Sequence, residues 1–130
     1  MRLWHKDLIS VLPRQQLLAQ WRECCLIAKN IVEKGSPNHI LVNKIMEYPM
    51  AHFYNYTEEV YLEMNERGYN VDFSKFNKYF ECVPYGCNSW DDMFKDWHND
   101  RYFIQCYYNL QEKYDCGGIT DEEWSKIYYL

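Results

Sequence analysis

Residues 12–29 constrain the fold more than any other stretch, because their apolar side chains recur at steps of three and four. That spacing places the side chains on one stripe of an α-helix, whereas a strand would alternate them between two faces. The stripe consists of Leu17, Trp21, Cys24, Cys25, Ala28 and Val32. Pro13 suits the first helical position, where its missing N–H costs no hydrogen bond. We therefore expect a long amphipathic helix that organises the chain.

The rest of the sequence also has helical spacing, and no segment shows the strict alternation of a β-strand. The first helix should end near residue 33, before a segment that contains Gly and Pro. Further helices are predicted over residues 39–48, 51–67 and 91–114. The last of these is either continuous or interrupted near His98. The helix over 51–67 should stop at Gly68, a residue that suits a C-terminal cap.

The same spacing predicts which side chains of the later helices face the core. They are Phe53, Val60, Tyr61 and Met64 in one helix, and Tyr102, Phe103, Cys106 and Leu110 in the other. Residues 1–10 should form a short arm, anchored by Trp4 and Leu8, and residues 82–89 should form a loop.

Two short helices complete the pattern. Asp72 or Ser74 can cap one that runs through Phe80, and Thr120 with Glu123 forms a capping box for the last helix. Together these elements predict a compact all-α domain over residues 1–130. We expect three main helices, short helices between them, and an N-terminal arm packed near the first helix.

Charge is unevenly distributed along the chain, whose formal net charge is −5. Residues 1–54 carry seven Lys and Arg against four Asp and Glu, and the remaining residues carry seven against fifteen. A nucleic-acid partner usually favours a basic protein, and here only the N-terminal part could supply a weak positive field.

Several classes of protein are disfavoured by the sequence. No stretch has the roughly 18 apolar residues of a membrane span, and the charged start does not resemble a signal peptide. We therefore expect a cytoplasmic protein with reduced cysteines and no membrane partner. The Cys and His spacings match no usual zinc pattern, so we expect no metal or other cofactor.

The polar face of the first helix is unusual. Gln15, Arg22 and Lys29 are spaced by sevens and stack along one side, with Glu23 next to Arg22. A carboxylate among cations suits an anionic ligand that also undergoes chemistry. The alternative is a solvated face whose charges have no role.

Four segments, in order along the chain, carry a family resemblance. Residues 10–23 contain Gln15, Leu17, Ala19 and the run Trp-Arg-Glu, and residues 67–70 read Arg-Gly-Tyr-Asn. Residues 109–113 read Asn-Leu-Gln-Glu-Lys, and the tail over 124–129 reads Trp-Ser-Lys-Ile-Tyr-Tyr. In these segments the chain resembles the pyrimidine dimer DNA glycosylases, typified by the small bacteriophage endonuclease V. That family is all-α.

The resemblance implies a DNA repair glycosylase with abasic-site lyase activity, acting on damaged double-stranded DNA without a metal. In the family, the N-terminal α-amine attacks the anomeric carbon, displaces the base and leaves a Schiff base. As a class, α-amines have pKa values of about 7.7–8.0, so a useful fraction is neutral at pH 7. By resemblance, Glu23 is the essential acid and Arg22 holds phosphate.

The nucleophile implied for this chain is the α-amine of Met1. Arg2 is too bulky a second residue for Met aminopeptidase, so Met1 should be retained. Aligning Arg2 with the first Arg of the family puts the Met1 amine at the reactive position. The alternative is that Met1 is only a start residue. Three departures from the family bear on DNA affinity and lesion type. Leu26 stands where the family has Arg, Gln16 stands where it has His, and the chain is acidic whereas the phage enzyme is basic.

The other candidate DNA contacts are Arg2, Gln15, Lys29, Trp124, Lys126 and Tyr128. The aromatic tail could stack on a distorted base step, or it could pack on the body of the protein. Of the histidines, His5 is the better candidate to act near the amine, whereas His52 and His98 are expected in the core. We expect a monomer. The alternative function is a non-catalytic helical module that binds a basic protein through its acidic half.

Overall fold

A computed structural model describes residues 1–80, 90–128 and 130. These residues form helices and no strand, which confirms the all-α prediction. The α-helices are α1 (Arg14–Lys34), α2 (Met50–Glu66), α3 (Ser74–Asn77), α4 (Asp100–Asp115) and α5 (Asp121–Tyr128). Two 3₁₀ helices span Lys6–Val11 and Asn43–Glu47. Within this described part, no helix is both long and apolar enough to cross a membrane.

Helix α1 matches its predicted bounds closely. Its first backbone hydrogen bond runs from the Leu17 N–H to the Pro13 carbonyl, and Gly35 ends it in the left-handed region with φ +80°. The predicted stripe is buried except at two positions: Cys25 is only half-buried, and Val32 is 57% exposed. The prediction for Val32 was wrong because the buried stripe continues from Ala28 through Ile31 and leaves Val32 beside it.

Helix α2 packs against α1 and buries its predicted inward face, except that Tyr61 is only half-buried. It ends where predicted. Gly68 has φ +83°, and the Tyr69 N–H reaches back to the Met64 carbonyl at 2.9 Å.

The predicted helix over residues 91–114 is wrong in its first third, because α4 begins only at Asp100. Residues 90–97 form turns in which Phe94 has φ +53°, a conformation that no α-helix contains. The Asn99 side chain then accepts the Tyr102 N–H at 2.9 Å and caps α4. Tyr102 and Phe103 are half-buried, whereas Cys106 and Leu110 are fully buried.

The short elements agree with the prediction only in part. The expected helix over 39–48 is a turn followed by the 3₁₀ helix Asn43–Glu47, and α3 is shorter than expected. The capping box is confirmed, because the Glu123 N–H donates to Thr120 Oγ1 and the Thr120 N–H donates to Glu123 Oε1, both at 3.1 Å. The predicted loop over 82–89 and Tyr129 lie outside the described residues.

The N-terminal arm is part of the core. Trp4 and Leu8 are buried as predicted, and one cluster of buried apolar residues extends from Leu3 to Ile127. Where the arm ends, Arg67 donates to the carbonyls of Ser10 at 3.2 Å and Leu12 at 2.9 Å. The chain is therefore held where it turns into α1.

Candidate active site

The arm is fastened to α1 by a buried side chain. The Gln20 amide nitrogen donates to the Arg2 carbonyl at 2.9 Å, and the Gln20 amide oxygen accepts the Trp4 N–H at 2.8 Å. In an extended chain these two backbone groups point to the same side, so a single amide can satisfy both. Gln20 has no exposed surface, which makes these bonds hard for water to replace.

Two tyrosines hold the arm from α2 and α4. The Tyr56 hydroxyl donates to the Trp4 carbonyl at 2.6 Å and lies 3.0 Å from the Gln20 amide oxygen. The Tyr102 hydroxyl donates to the Leu3 carbonyl at 2.5 Å. Burial raises the pKa of both phenols, so each keeps the proton that it donates. Three helices therefore fix the backbone of residues 2–4.

Two histidines lock the next part of the arm. The Lys6 N–H donates to His98 Nδ1, and His5 Nε2 donates to the His98 carbonyl, both at 2.9 Å. Burial lowers the pKa of His98 to about 2 and lowers the pKa of His5, so both rings are neutral at pH 7. The Lys6 ammonium lies 2.7 Å from the Met93 carbonyl and is also bonded to the carbonyl of Trp90. His5, His98 and Lys6 therefore position the chain.

The arm ends at a pocket of about 600 Å³ between α1 and α4. Its lining brings the first 23 residues of the chain together with Leu41 and with two residues of α4. The lining residues are Met1, Arg2, Trp4, Gln15, Gln16, Leu18, Ala19, Arg22, Glu23, Leu41, Asn109 and Lys113. Five of the residues singled out from the sequence are among them: Met1, Arg2, Gln15, Arg22 and Glu23.

The pocket has an excess of positive charge in a protein whose net charge is negative. Three cationic side chains, Arg2, Arg22 and Lys113, and the amine of Met1 accompany a single carboxylate, that of Glu23. Met1 and Glu23 are half-buried, and no ion pair joins them within the described residues. The excess of positive charge makes the pocket suited to an anionic ligand.

Two polar residues of the pocket, on α4, were given no role by the sequence reasoning. Asn109 and Lys113 lie on α4, and their spacing of four puts them on one helix face. That spacing could have shown that they act together, but only the packing of α4 across the arm shows which side of the pocket they line. The amide oxygen of Gln16 is also buried there, without a hydrogen-bond partner in the described structure.

The remaining predicted DNA contacts do not line this pocket. Lys29 is exposed on α1, and Tyr128 is 61% exposed on α5. Lys126 lines another cavity of about 500 Å³, together with Arg14. The Trp124 ring stacks on Tyr114 at 5.1 Å and 10°, which is the arrangement expected of a packed tail.

Four of the six cysteines lie in the described part of the chain. Cys24, Cys25, Cys106 and Cys116 are free thiols, and burial raises the pKa of Cys24 well above its usual range. Among residues 1–80, 90–128 and 130, no three His, Cys, Asp or Glu side chains are grouped so that they could hold a metal ion.

Of three comparisons with known proteins, one identifies a family for this chain. A search of curated proteins and a search of solved structures gave no match. The sequence model of the family described as pyrimidine dimer DNA glycosylase matches residues 1–77, which is more than half of the chain. The match includes the arm, α1 and α2, and thus Met1, Arg22 and Glu23. The chain therefore belongs to the pyrimidine dimer DNA glycosylase family, a family of DNA repair enzymes that bind DNA as substrate.

Proposed function

We propose that this protein excises damaged pyrimidines and then nicks the abasic strand, with the α-amine of Met1 as nucleophile and Glu23 as the acid. One observation carries the proposal: the residues Met1 and Glu23 line the same pocket, at the end of an arm whose backbone is held by three helices. Fixing the residues next to an amine reduces the entropy that must be lost to reach a sugar carbon.

The proposed reaction has three steps. The lone pair of the neutral amine forms a bond to C1′ of the damaged nucleotide, and the glycosidic electrons leave with the base, which takes up a proton. The nitrogen then loses a proton, its lone pair breaks the C1′–O4′ bond, and O4′ takes up a proton, which opens the sugar ring and gives a protonated Schiff base. Loss of a proton from C2′ then expels the 3′ phosphate and nicks the strand. Glu23 stabilises the cationic, oxocarbenium-like centre and moves these protons.

The cations of the pocket are proposed to hold the DNA strand. Arg22 and Arg2, joined by Lys113 on the opposite helix, would contact phosphates next to the reacting sugar. Gln15 supplies an amide to the same strand, and Lys29, Lys126 and Tyr128 would act on more distant parts of the duplex. Trp124 is left out of this surface because its ring packs on α4. No metal is required by any of these steps.

Lys6 is a poor alternative nucleophile. Its side chain is buried, and its ammonium donates hydrogen bonds to the backbone carbonyls of Trp90, Asp91 and Met93. An imine would require the loss of those bonds and the exposure of a buried segment. Met1 is half-buried and reaches the pocket directly.

The test is borohydride trapping on abasic duplexes and on ultraviolet-irradiated duplexes, in the presence of a chelator. We expect a covalent complex that maps to Met1, and we expect an extra N-terminal residue to abolish it. An adduct on Lys6 or Lys29 would refute the assignment to Met1.

The acid is tested separately. Glu23→Gln should lower nicking by about 100-fold or more while DNA binding is retained. Glu33→Gln, at an exposed position of the same helix, is the matched control. If the folded protein traps and nicks no damaged duplex, the alternative of a non-catalytic binding module replaces this proposal.

A further inference from the structure

A short turn beside the pocket, over residues 39–43, is held by several backbone and side-chain hydrogen bonds. The carbonyl of His39 accepts the N–H groups of Val42 at 3.0 Å and Asn43 at 2.9 Å. The side chains close the turn from outside: Asn43 Oδ1 accepts the His39 N–H at 3.1 Å, and His39 Nδ1 accepts the Leu41 N–H at 3.2 Å. Its conformation is therefore set before any ligand binds.

The turn is also fastened to the body of the protein. Val42 and Ile45, just after it, have no exposed surface. The Asn30 side chain in α1 donates to the Pro37 carbonyl at 3.2 Å, which ties the incoming chain to α1. The tip over residues 39–41 thus lies on a fixed base.

The tip of this turn is apolar. Ile40 is 84% exposed and Leu41 is 49% exposed, and Leu41 lines the pocket together with Met1 and Glu23. Single exposed apolar residues are common and need no explanation. Two in succession, on a fixed turn at the edge of a site that binds DNA, indicate a surface that the substrate covers.

We propose that Ile40 and Leu41 form a wedge that enters the base stack of a DNA duplex next to the nucleotide whose C1′ reaches the Met1 amine. This inference rests on the proposed function. The amine in the pocket reaches C1′ where the duplex is bent or opened at that step, and the stacking that is lost there has to be compensated. Apolar side chains inserted between bases are a known form of such compensation.

Base pairs fit this wedge better than a protein partner does. The cations of Arg22 and Lys113 line the same pocket as Leu41, so phosphates would be held where the wedge enters. Leu18 adds an apolar surface to the pocket wall between them.

The experiment follows unstacking and chemistry as separate signals. A 2-aminopurine beside an abasic site or a dimer reports unstacking by increased fluorescence on binding, and borohydride trapping reports imine formation. The variants are Ile40→Ser and Leu41→Ser, singly and together. Ile104→Ser is the matched control, since Ile104 is 50% exposed on α4 and lies outside the pocket lining.

With duplex substrate, we expect the double variant to lose most of the fluorescence increase and to trap about tenfold more slowly than the wild type. With abasic single strands, which need no unstacking, the loss should be at least about fivefold smaller. Equal losses on both substrates, or no increase in fluorescence with the wild type, would overturn the wedge. An increase in fluorescence without any trapped adduct would instead overturn the proposed chemistry and support the wedge.

Discussion

The side-chain amide of Gln20 donates a hydrogen bond to the backbone carbonyl of Arg2, at 2.9 Å, one residue away from the terminal amine. The same amide accepts the Trp4 N–H at 2.8 Å. A buried residue of α1 thereby controls where the chain enters the pocket, although Gln20 itself does not line that pocket. If Met1 is the nucleophile, Gln20 is a positioning residue for it.

Replacing Gln20 should therefore separate chemistry from binding. Gln20→Leu keeps the size of the side chain but leaves the Trp4 N–H and the Arg2 carbonyl without their partner. We expect a loss of about 1–3 kcal/mol in the free energy of unfolding, measured by denaturant titration. The single-turnover trapping rate should fall by about tenfold or more, with a smaller change in Kd for abasic DNA. Gln105→Leu, at an exposed position of α4, is the control. An unchanged trapping rate would contradict the positioning role.

The buried histidine predicts how stability depends on pH. Burial lowers the pKa of His98 to about 2, whereas in the unfolded chain it is near 6.5. Because the unfolded state binds the proton more tightly, stability is complete above pH 6.5 and falls as the pH decreases below it. The slope expected from His98 alone is about 1.4 kcal/mol per pH unit.

Denaturant titrations between pH 7 and pH 5 would measure this slope, in a range above the usual pKa of carboxyl groups. His98→Asn provides an acceptor for the Lys6 N–H without a titrating ring, so its slope should be shallower. A wild type whose stability is constant over this range would show that His98 is not buried as a neutral ring.

The pocket cations predict how DNA binding depends on salt. Arg22→Ala and Lys113→Ala should each weaken binding to damaged duplexes and reduce the slope of log K against log salt by about 1. Lys95→Ala is the control, since Lys95 is exposed and does not line the pocket. Titrations at several salt concentrations measure the slope. A slope that is the same in all three variants as in the wild type would mean that the phosphates bind elsewhere.

The two interpretations of the aromatic tail can be distinguished at Trp124. Its ring stacks on Tyr114 at 5.1 Å and contacts Tyr107 at 5.4 Å, so Trp124→Ala should destabilise the fold by about 2 kcal/mol. Its affinity for damaged DNA, measured well below the melting temperature, should change little. Tyr128→Ala, at an exposed position, should leave stability nearly unchanged and lower the affinity for damaged DNA if the tail contacts DNA. Normal stability of Trp124→Ala with lost affinity would favour the DNA-stacking interpretation.

Much of the fold could be read from the residues alone, because it depends on local interactions. The three- and four-residue steps in α1 and α2, the stop at Gly68 and the capping box of Thr120 with Glu123 involve neighbours within a few positions. Such features are specified by residues close together in the sequence, so a local pattern can indicate them. They also sufficed to single out Arg22 and Glu23 on one face of α1.

Tertiary structure decided how these elements form a site. Residues 90–99 leave the helical pattern because their backbone carbonyls and His98 bond to the arm, more than 80 positions earlier in the chain. Gln20 is buried in a polar interaction that hydrophobic periodicity does not detect. Lys113 lines the pocket because α4 packs against the arm, where Tyr102 donates to the Leu3 carbonyl. Contacts of this kind join segments that are far apart in the sequence. They are set by how the helices pack, so a local sequence pattern does not predict them.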